Sequence, residues 1–142
     1  MKSLTLLVAA VVAAVVLTAP LLSAATGRTK PDKPERIYQG AEVKLADYLV
    51  PGKTVIFDFT SQFCPPCRAI APKLHQLHEN RADIVVVEVD INRPDVKGID
   101  WKSPVARQFN LDSIPHFKVF GPDGKLQADG DDARTLVEGW FK

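Results

Sequence analysis

The sequence has only two cysteines and three histidines among its 142 residues, and its basic residues form no cluster. The formal net charge is +1 with both signs interspersed, so nothing resembles the basic footprint of a nucleic-acid-binding protein. No internal repeat is visible, and the chain is too short for two sizeable domains. With 46% hydrophobic and 25% charged residues, the composition is that of one globular domain.

The first 25 residues differ in character from the rest of the chain. A basic residue at position 2 precedes an apolar stretch over residues 4–17, and small residues follow at 23–25. This arrangement is typical of a secretory signal peptide, so we predict cleavage after Ala25. A retained membrane anchor is the alternative, although the apolar stretch approaches spanning length only if Thr18 and Pro20 are included.

After this segment the chain becomes polar and then shows alternating apolar runs. Residues 26–36 are rich in Pro, Lys and Thr and are predicted to form a flexible tether. A single domain is predicted over residues 37–142. Its strands are expected at 37–38, 54–60, 84–91, 116–120 and 125–128, and its helices at 41–49, 65–80, 104–109 and from 131 onwards. Strands that alternate with helices indicate an α/β fold.

Both cysteines lie in one short motif, Cys64-Pro65-Pro66-Cys67, between a predicted strand and a predicted helix. Cys64 would then lie at the helix N-terminus, where unpaired N–H groups and the helix dipole favour a thiolate. The thiolate is the nucleophilic form, so we predict that Cys64 is the reactive cysteine and that Cys67, one turn inside, is shielded. Pro65 suits the first helical position because it has no N–H to leave unpaired.

Two other uses of the cysteine pair are weaker. A structural disulfide stabilises a protein by closing a loop, and a loop with two intervening residues constrains almost nothing. A zinc site needs two further ligands. His75 and His78 follow in the same helix, which runs away from Cys64, and both are predicted to be solvent-exposed. We therefore expect no metal and no organic cofactor.

Residues 55–72 resemble the active-site strand and helix of the thioredoxins, with the sequence VIFDFTSQFCPPCRAIAP. Pro72, five residues after the second cysteine, stands where thioredoxins kink this helix. Residues 113–115, Ser-Ile-Pro, are similar to the family's cis-proline loop, and Gly130 matches another thioredoxin glycine. The resemblance covers about residues 37–141. It implies a thioredoxin fold, in which helices flank a central mixed β-sheet.

The resemblance implies a role for three residues. Cys64 would attack a substrate disulfide to form a mixed disulfide, and Cys67 would resolve it. Asp58 matches the family's buried acid and would accept the proton of Cys67. An acid in an otherwise apolar strand is unusual on its own account. The alternative is that Asp58 points to a polar rim, because the two faces of a strand alternate.

The resemblance also indicates a substrate-binding surface. A cis Pro115 would face the disulfide and leave the backbone of Ile114 open to pair with an extended substrate. The predicted substrate contacts are Phe63, Pro65, Ile114, Pro115, His116 and Trp101.

Trp101 lies in residues 92–103, which resemble an insertion relative to the family. Because the preceding strand is expected to run parallel to the active-site strand, the insertion should begin at the active-site end of the sheet. Trp101 would then line a substrate groove, or instead pack against the body of the domain.

Four residues depart from the family's pattern. Thr60 and Phe63 replace two tryptophans, and His116 replaces a threonine. By position, Val86 replaces the lysine that partners the buried acid. This last change leaves the proton chemistry of Asp58 open.

Together these features predict an exported thiol–disulfide oxidoreductase, periplasmic or secreted, or membrane-anchored if the leader is retained. We expect it to act as a monomer that reduces protein disulfides, with apocytochrome c as one candidate substrate and a membrane-associated electron donor. A disulfide oxidase or isomerase is the enzymatic alternative. A binding module whose affinity is switched by the cysteine pair, without turnover, is the alternative from another class.

Overall fold

The computed structural model describes residues 27–141. The predicted signal peptide and the last residue lie outside this range. Within it, we find no helix of the length and apolarity needed to cross a membrane.

One mixed sheet of five strands forms the centre of the domain, in the order β1-β3-β2-β4-β5. The strands are β1 Glu35–Ile37, β2 Thr54–Thr60, β3 Ile84–Asp90, β4 His116–Phe120 and β5 Leu126–Asp129. Strand β3 runs parallel to both β1 and β2, whereas β4 runs antiparallel to β2 and β5. The mixed sheet expected from the sequence is confirmed.

Three α-helices connect and cover the strands: α1 Pro65–Asn80, α2 Pro104–Gln108 and α3 Gly130–Glu138. Between β1 and β2 there is a 3₁₀ helix, Leu45–Tyr48. The sequence predicted a longer helix over 41–49, and this was wrong. Lys44, which precedes the 3₁₀ helix, makes no side-chain capping bond. A segment this short gains too few hydrogen bonds to offset the cost of starting a helix.

Strand β2 faces a different apolar core on each side of the sheet. Val55, Phe57 and Phe59 contribute to the core under the 3₁₀ helix and α2, whereas Ile56 contributes to the core under α1 and α3. The alternation follows from the two-residue period of a strand. A strand buried on both faces explains the apolar sequence from which β2 was predicted.

The segment predicted as a flexible tether is partly attached to the domain. Strand β1 begins at Glu35, inside that segment, and pairs with β3. The Lys30 side chain donates hydrogen bonds to the carbonyl oxygens of His78 and Arg81 at the end of α1, the second at 2.7 Å. The His78 carbonyl is one of those that a helix end leaves without a helical partner, and the Arg81 carbonyl also accepts from the Ile84 backbone N–H, so Lys30 adds a second donor there.

His78 is fully buried, and its predicted exposure was wrong. Its Nδ1 accepts a hydrogen bond from the Val86 backbone N–H at 3.0 Å. Its Nε2 lies 2.8 Å from the Pro31 carbonyl oxygen and therefore carries the proton it donates. Burial lowers the pKa of His78, although the Pro31 carbonyl opposes the shift. His78 thus joins the segment before β1 to α1 and β3. The hydrophobic periodicity of the sequence does not indicate these contacts.

We expect His78→Ala to lower the free energy of unfolding by about 2–3 kcal/mol, because the buried Val86 N–H loses its acceptor. In the wild type, unfolded His78 binds a proton near pH 6.5, whereas the folded ring does so only at lower pH. The stability that this difference provides is therefore complete above pH 6.5 and is lost as the pH falls through the folded pKa. Urea unfolding at pH 8 and pH 5 measures both effects.

His75→Ala serves as the matched control on the same helix, because His75 is exposed. We expect it to cost less than about 1 kcal/mol. Equal losses for the two variants would contradict the assignment of His78 to the core.

Candidate active site

The Cys64–Cys67 disulfide lies where β2 leads into α1. The two Cα atoms are 5.3 Å apart. Cys64 caps the N-terminus of α1, and Pro65 and Pro66 are the first two helical residues. The Cys67 backbone N–H donates to the Cys64 sulfur at 3.2 Å. Because neither proline has an N–H, the first amide that α1 can offer this sulfur is that of Cys67.

Both cysteines are shielded in the disulfide form, with Cys64 2% and Cys67 1% exposed. The expectation that only Cys67 is shielded therefore does not hold for this form. The bond draws the Cys64 sulfur towards Cys67, and its other neighbour is the Ile114 carbonyl oxygen at 3.7 Å. The residues on either side of Cys64 are closer to solvent than the cysteine itself, since Phe63 is half-buried and Pro65 is exposed.

The loop before β4 forms the opposite side of the disulfide. The Ile114–Pro115 peptide bond is cis. Pro115 is buried, and Ile114 is half-buried with its carbonyl oxygen against Cys64. The structure thus brings together four of the predicted site residues, namely the two cysteines, Ile114 and Pro115.

His116 follows this loop, and its side chain is bound within the domain. Its Nε2 donates to the Asp129 carboxylate at 2.8 Å, and Lys118 donates to the second oxygen of the same carboxylate at 2.5 Å. The imidazole also packs edge-on against Phe59, with ring centroids 5.8 Å apart. His116 lies next to the cis bond, as the sequence indicates, but a substrate would meet a ring already held by Asp129.

Residues 92–103 form neither helix nor strand, and they begin beside Ser61, between β2 and Cys64, as predicted. The Ser61 hydroxyl donates to the Asn92 side-chain oxygen at 2.5 Å and accepts from the Phe63 backbone N–H at 3.1 Å. Ser61 and Asn92 are both buried. Neither was predicted as a site residue. The available signal was a polar residue immediately after each of two adjacent parallel strands.

The rest of the insertion is closed by its own polar contacts. The Asn92 amide donates to the Gly98 carbonyl at 2.6 Å, and the Arg93 guanidinium contacts the buried Asp100 carboxylate at 2.7 and 3.0 Å. Trp101 is 39% exposed on this insertion. The indole is therefore only partly packed against the domain, and its role as a substrate contact stays a prediction.

Asp58 is buried in the middle of β2, with 1% of its surface exposed. Neither carboxylate oxygen has a hydrogen-bond partner. Burial, followed by the charge of Glu88, raises the pKa of Asp58 to about 8, and Arg36 opposes the shift. The alternative position at a polar rim is excluded, because the side chain lies on the face of the sheet that α1 and α3 cover.

Glu88, not Val86, is the neighbour of Asp58 in the sheet. The parallel register pairs Asp58 with Glu88 and Ile56 with Val86. The prediction that Val86 replaces the family's lysine beside the buried acid was therefore wrong, by two residues. Strand β3 is apolar at almost every position, so its hydrophobic pattern does not specify which residue pairs with which on β2. The register between the two strands therefore could not be predicted from the sequence alone.

The two histidines of α1 make contacts other than with the cysteines. His75 Nε2 donates to the Glu88 carboxylate at 2.8 Å, and the two nitrogens of His78 are engaged as described above. Over residues 27–141 no three potential metal ligands converge on one point.

A family model described as Thioredoxin matches residues 41–138, which include the cysteines, Asp58, Glu88 and the cis-proline loop. The chain belongs to the thioredoxin family. The resemblance and the fold predicted from the sequence are therefore confirmed.

Among curated relatives, the chain is 34% identical over 86 residues to Thioredoxin H-type of Brassica campestris, a match that covers 61% of this chain and 63% of the relative. It is 33% identical over 75 residues to Thioredoxin H3 of Arabidopsis thaliana, covering 53% and 56%. The matches thus span less than two thirds of each relative's length.

Solved thioredoxins share the fold at lower identity. Spinach chloroplast thioredoxin f in its short form has a TM-score of 0.53 at 23% identity, covering 80% of this chain and 95% of that one. Thioredoxin O2 of Arabidopsis thaliana in the oxidised state has a TM-score of 0.54 at 22% identity, covering 81% and 100%.

We expect Asp58→Asn to stabilise this protein at neutral and alkaline pH. The folded pKa of about 8 exceeds the ordinary value of 3.8, so the folded state retains a proton that the unfolded state releases. The wild type therefore loses about 1.4 kcal/mol of stability per pH unit between these values. Asparagine does not titrate, so its advantage should grow from pH 4 to pH 8, as measured by urea unfolding.

Asp112→Asn, at an exposed position, provides the control and should leave the pH dependence unchanged. If Asp58→Asn and the wild type have parallel stability profiles, Asp58 does not hold a raised pKa.

Proposed function

We propose that the protein is a thiol–disulfide oxidoreductase that reduces disulfides of protein substrates outside the cytoplasm. The observation that supports this most directly is the Cys64–Cys67 pair at the N-terminus of α1, beside the Ile114 carbonyl of the cis-proline loop. Membership of the thioredoxin family supports the reaction type. The export signal predicted over residues 1–25 supports the location.

The first step forms a mixed disulfide. The Cys64 thiolate attacks one sulfur of the substrate disulfide, a Cys64–substrate S–S bond forms, and the substrate S–S bond breaks. The departing substrate sulfur leaves as a thiolate and takes a proton from solvent. The extended backbone of the substrate would pair with Ile114, the residue that the cis bond presents next to Cys64.

The second step releases the substrate. Asp58 and Cys67 are both buried, Asp58 on the face of the sheet that α1 covers and Cys67 on α1, and this supports the proposal that the Asp58 carboxylate takes the Cys67 proton. The Cys67 thiolate then attacks Cys64, the mixed disulfide breaks, and the second substrate thiolate leaves. The substrate gains two electrons and the cysteine pair becomes the disulfide seen in the structure.

The direction of electron flow follows from the donors around Cys64. An oxidase is strongly oxidising because its reduced form is stabilised. Here Pro65 and Pro66 offer no N–H, so the Cys67 amide and the helix dipole are what stabilise the thiolate. This favours a reductant. In an oxidising compartment such a reductant requires an electron donor that reduces the Cys64–Cys67 disulfide again after each turnover. We propose that this donor is associated with the membrane. Apocytochrome c and other oxidised thiols are the candidate substrates.

The order of attack is tested by trapping. Cys67→Ser should accumulate a covalent mixed disulfide on Cys64 with oxidised protein substrates, because the resolving thiol is absent. Cys64→Ser is the matched control and should trap at least tenfold less, since Cys67 is inside the helix. Non-reducing gels and mass spectrometry measure both. Equal trapping by the two variants would overturn the assignment of Cys64 as nucleophile.

The reduction potential of the cysteine pair separates the reductase from its rivals. We expect a value near that of thioredoxin, about −270 mV, in equilibrium with glutathione or dithiothreitol buffers. A potential above about −180 mV, the value of the isomerase, would favour the oxidase or isomerase. Failure to turn over the insulin disulfides would favour the redox-switched binding module. Detection of the uncleaved, unexported chain in cell fractions would contradict the proposed location.

A further inference from the structure

We propose that Glu88 is a positioning residue for the resolving step, because its carboxylate, held by His75 and Arg36 beside Asp58, sets the pH at which Asp58 takes the Cys67 proton. The inference rests on the proposed role of Asp58 as the proton acceptor. It adds to that role a charged neighbour, Glu88, whose negative charge favours the protonated form of Asp58.

The alternation of β2 and β3 places the two acids on the same face of the sheet. Ile56 and Val86 belong to the core under α1 and α3, and Asp58 and Glu88 each follow two residues later on the same strands. The two acids are partners in the parallel register, and adjacent strands lie about 4.8 Å apart. Asp58 has no hydrogen-bond partner of its own. Its nearest ionisable neighbour along the sheet is therefore Glu88.

Glu88 is held in place by donors on two other elements. His75 of α1 donates to Oε1 at 2.8 Å, and Arg36 of β1 donates to Oε2 at 3.5 Å. Both oxygens therefore act as acceptors, as they do in an ionised carboxylate. The Arg36 charge is shared, because its second nitrogen contacts Asp90 at 2.8 Å. Glu88 is only 8% exposed, so solvent screens its charge weakly.

The charges that face Asp58 from the surrounding elements have opposite signs. Glu88 disfavours the ionised form of Asp58 and Arg36 favours it, and both act on a carboxyl group that burial already disfavours as an anion. The titratable or charged groups of this cluster are Arg36 of β1, Asp58 of β2, Glu88 and Asp90 of β3, and Cys67 and His75 of α1. The residues that α3 and β4 contribute to the same core are apolar, with Ala133, Val137, Phe117 and Val119 among them.

A carboxylate at this position has the opposite effect to a lysine. A lysine would stabilise ionised Asp58, whereas Glu88 stabilises the protonated form. The chain therefore holds Asp58 as an acid at neutral pH, ready to protonate Cys67 when a donor reduces the disulfide. Resolution of a mixed disulfide, which needs the Asp58 carboxylate, should accelerate as the pH rises towards 8.

Two substitutions with opposite expected signs test the inference. Glu88→Gln keeps the shape and the acceptor oxygen but removes the negative charge, so the midpoint of the resolving step should fall by about one pH unit. Arg36→Gln removes the opposing positive charge, so the midpoint should rise. A role limited to packing would not produce opposite shifts. Glu79→Gln, an exposed acid on α1, is the charge-matched control and should shift nothing.

The readouts are a kinetic profile and a direct titration. Single-turnover release of thionitrobenzoate from 5,5′-dithiobis(2-nitrobenzoate) by the reduced full-length protein separates first attack from resolution between pH 5 and 10. NMR of the Asp58 carboxyl carbon reports its titration in each variant. Opposite shifts for Glu88→Gln and Arg36→Gln in both readouts support the inference. If the Asp58 titration midpoint is the same in Glu88→Gln as in the wild type, the inference is overturned.

Asp58→Asn makes failure of the proposed base distinguishable from failure of this inference. If Asp58→Asn leaves resolution unchanged, Asp58 is not the proton acceptor and the control of resolution by Glu88 falls with it. If Asp58→Asn slows resolution at least tenfold while Glu88→Gln and Arg36→Gln leave its pH midpoint in place, the base stands and Glu88 is not its positioning residue.

Discussion

The parallel pairing of β2 with β3 determines what can meet at the site. The register runs without interruption from Thr54 opposite Ile84 to Thr60 opposite Asp90. Since parallel strands end at the same edge of a sheet, residues 61–64 after β2, which lead to Cys64, and the insertion over 92–103 after β3 lie side by side. The same register places Asp58 beside Glu88 below that edge. A shift by one residue would turn Glu88 to the other face and separate the two acids.

The sequence was most informative where one local pattern decided the structure. The Val-rich run at 84–91 and the motif at Cys64 each specify their own element, and α1 and β4 have the predicted bounds. Contacts between distant segments were not predictable. The burial of His78 depends on Pro31 and Val86, and the Asp58–Glu88 pair depends on a register that the apolar run of β3 leaves undetermined.

The roles of single residues could likewise be predicted where a local motif surrounds the residue, and not where they depend on contacts between distant segments. Cys64 and Pro115 could be located because a motif surrounds each of them. Trp101 could not be assigned, since an insertion without periodicity gives no face on which to place a side chain. The Ser61–Asn92 contact shows one feature that supports that insertion: a buried polar bond between the segments that follow β2 and β3, to which the Asn92 bond to the Gly98 carbonyl is added.

The unpartnered carboxyl group of Asp58 has a consequence for stability that the surrounding core offsets. The folded state keeps the Asp58 proton up to about pH 8, whereas the unfolded chain releases it at the ordinary pKa of 3.8, so this acid opposes folding increasingly between the two values. A hydrogen-bond donor nearby would reduce that cost. Such a donor would also lower the proton affinity on which transfer to and from Cys67 depends. The flanking Phe57, Phe59 and Phe117 are fully buried, and burial of each stabilises the fold by about 2–3 kcal/mol. Strand β2, which supplies Phe57 and Phe59, and its neighbour β4, which supplies Phe117, can therefore accommodate one destabilising residue at the position where its chemistry is needed.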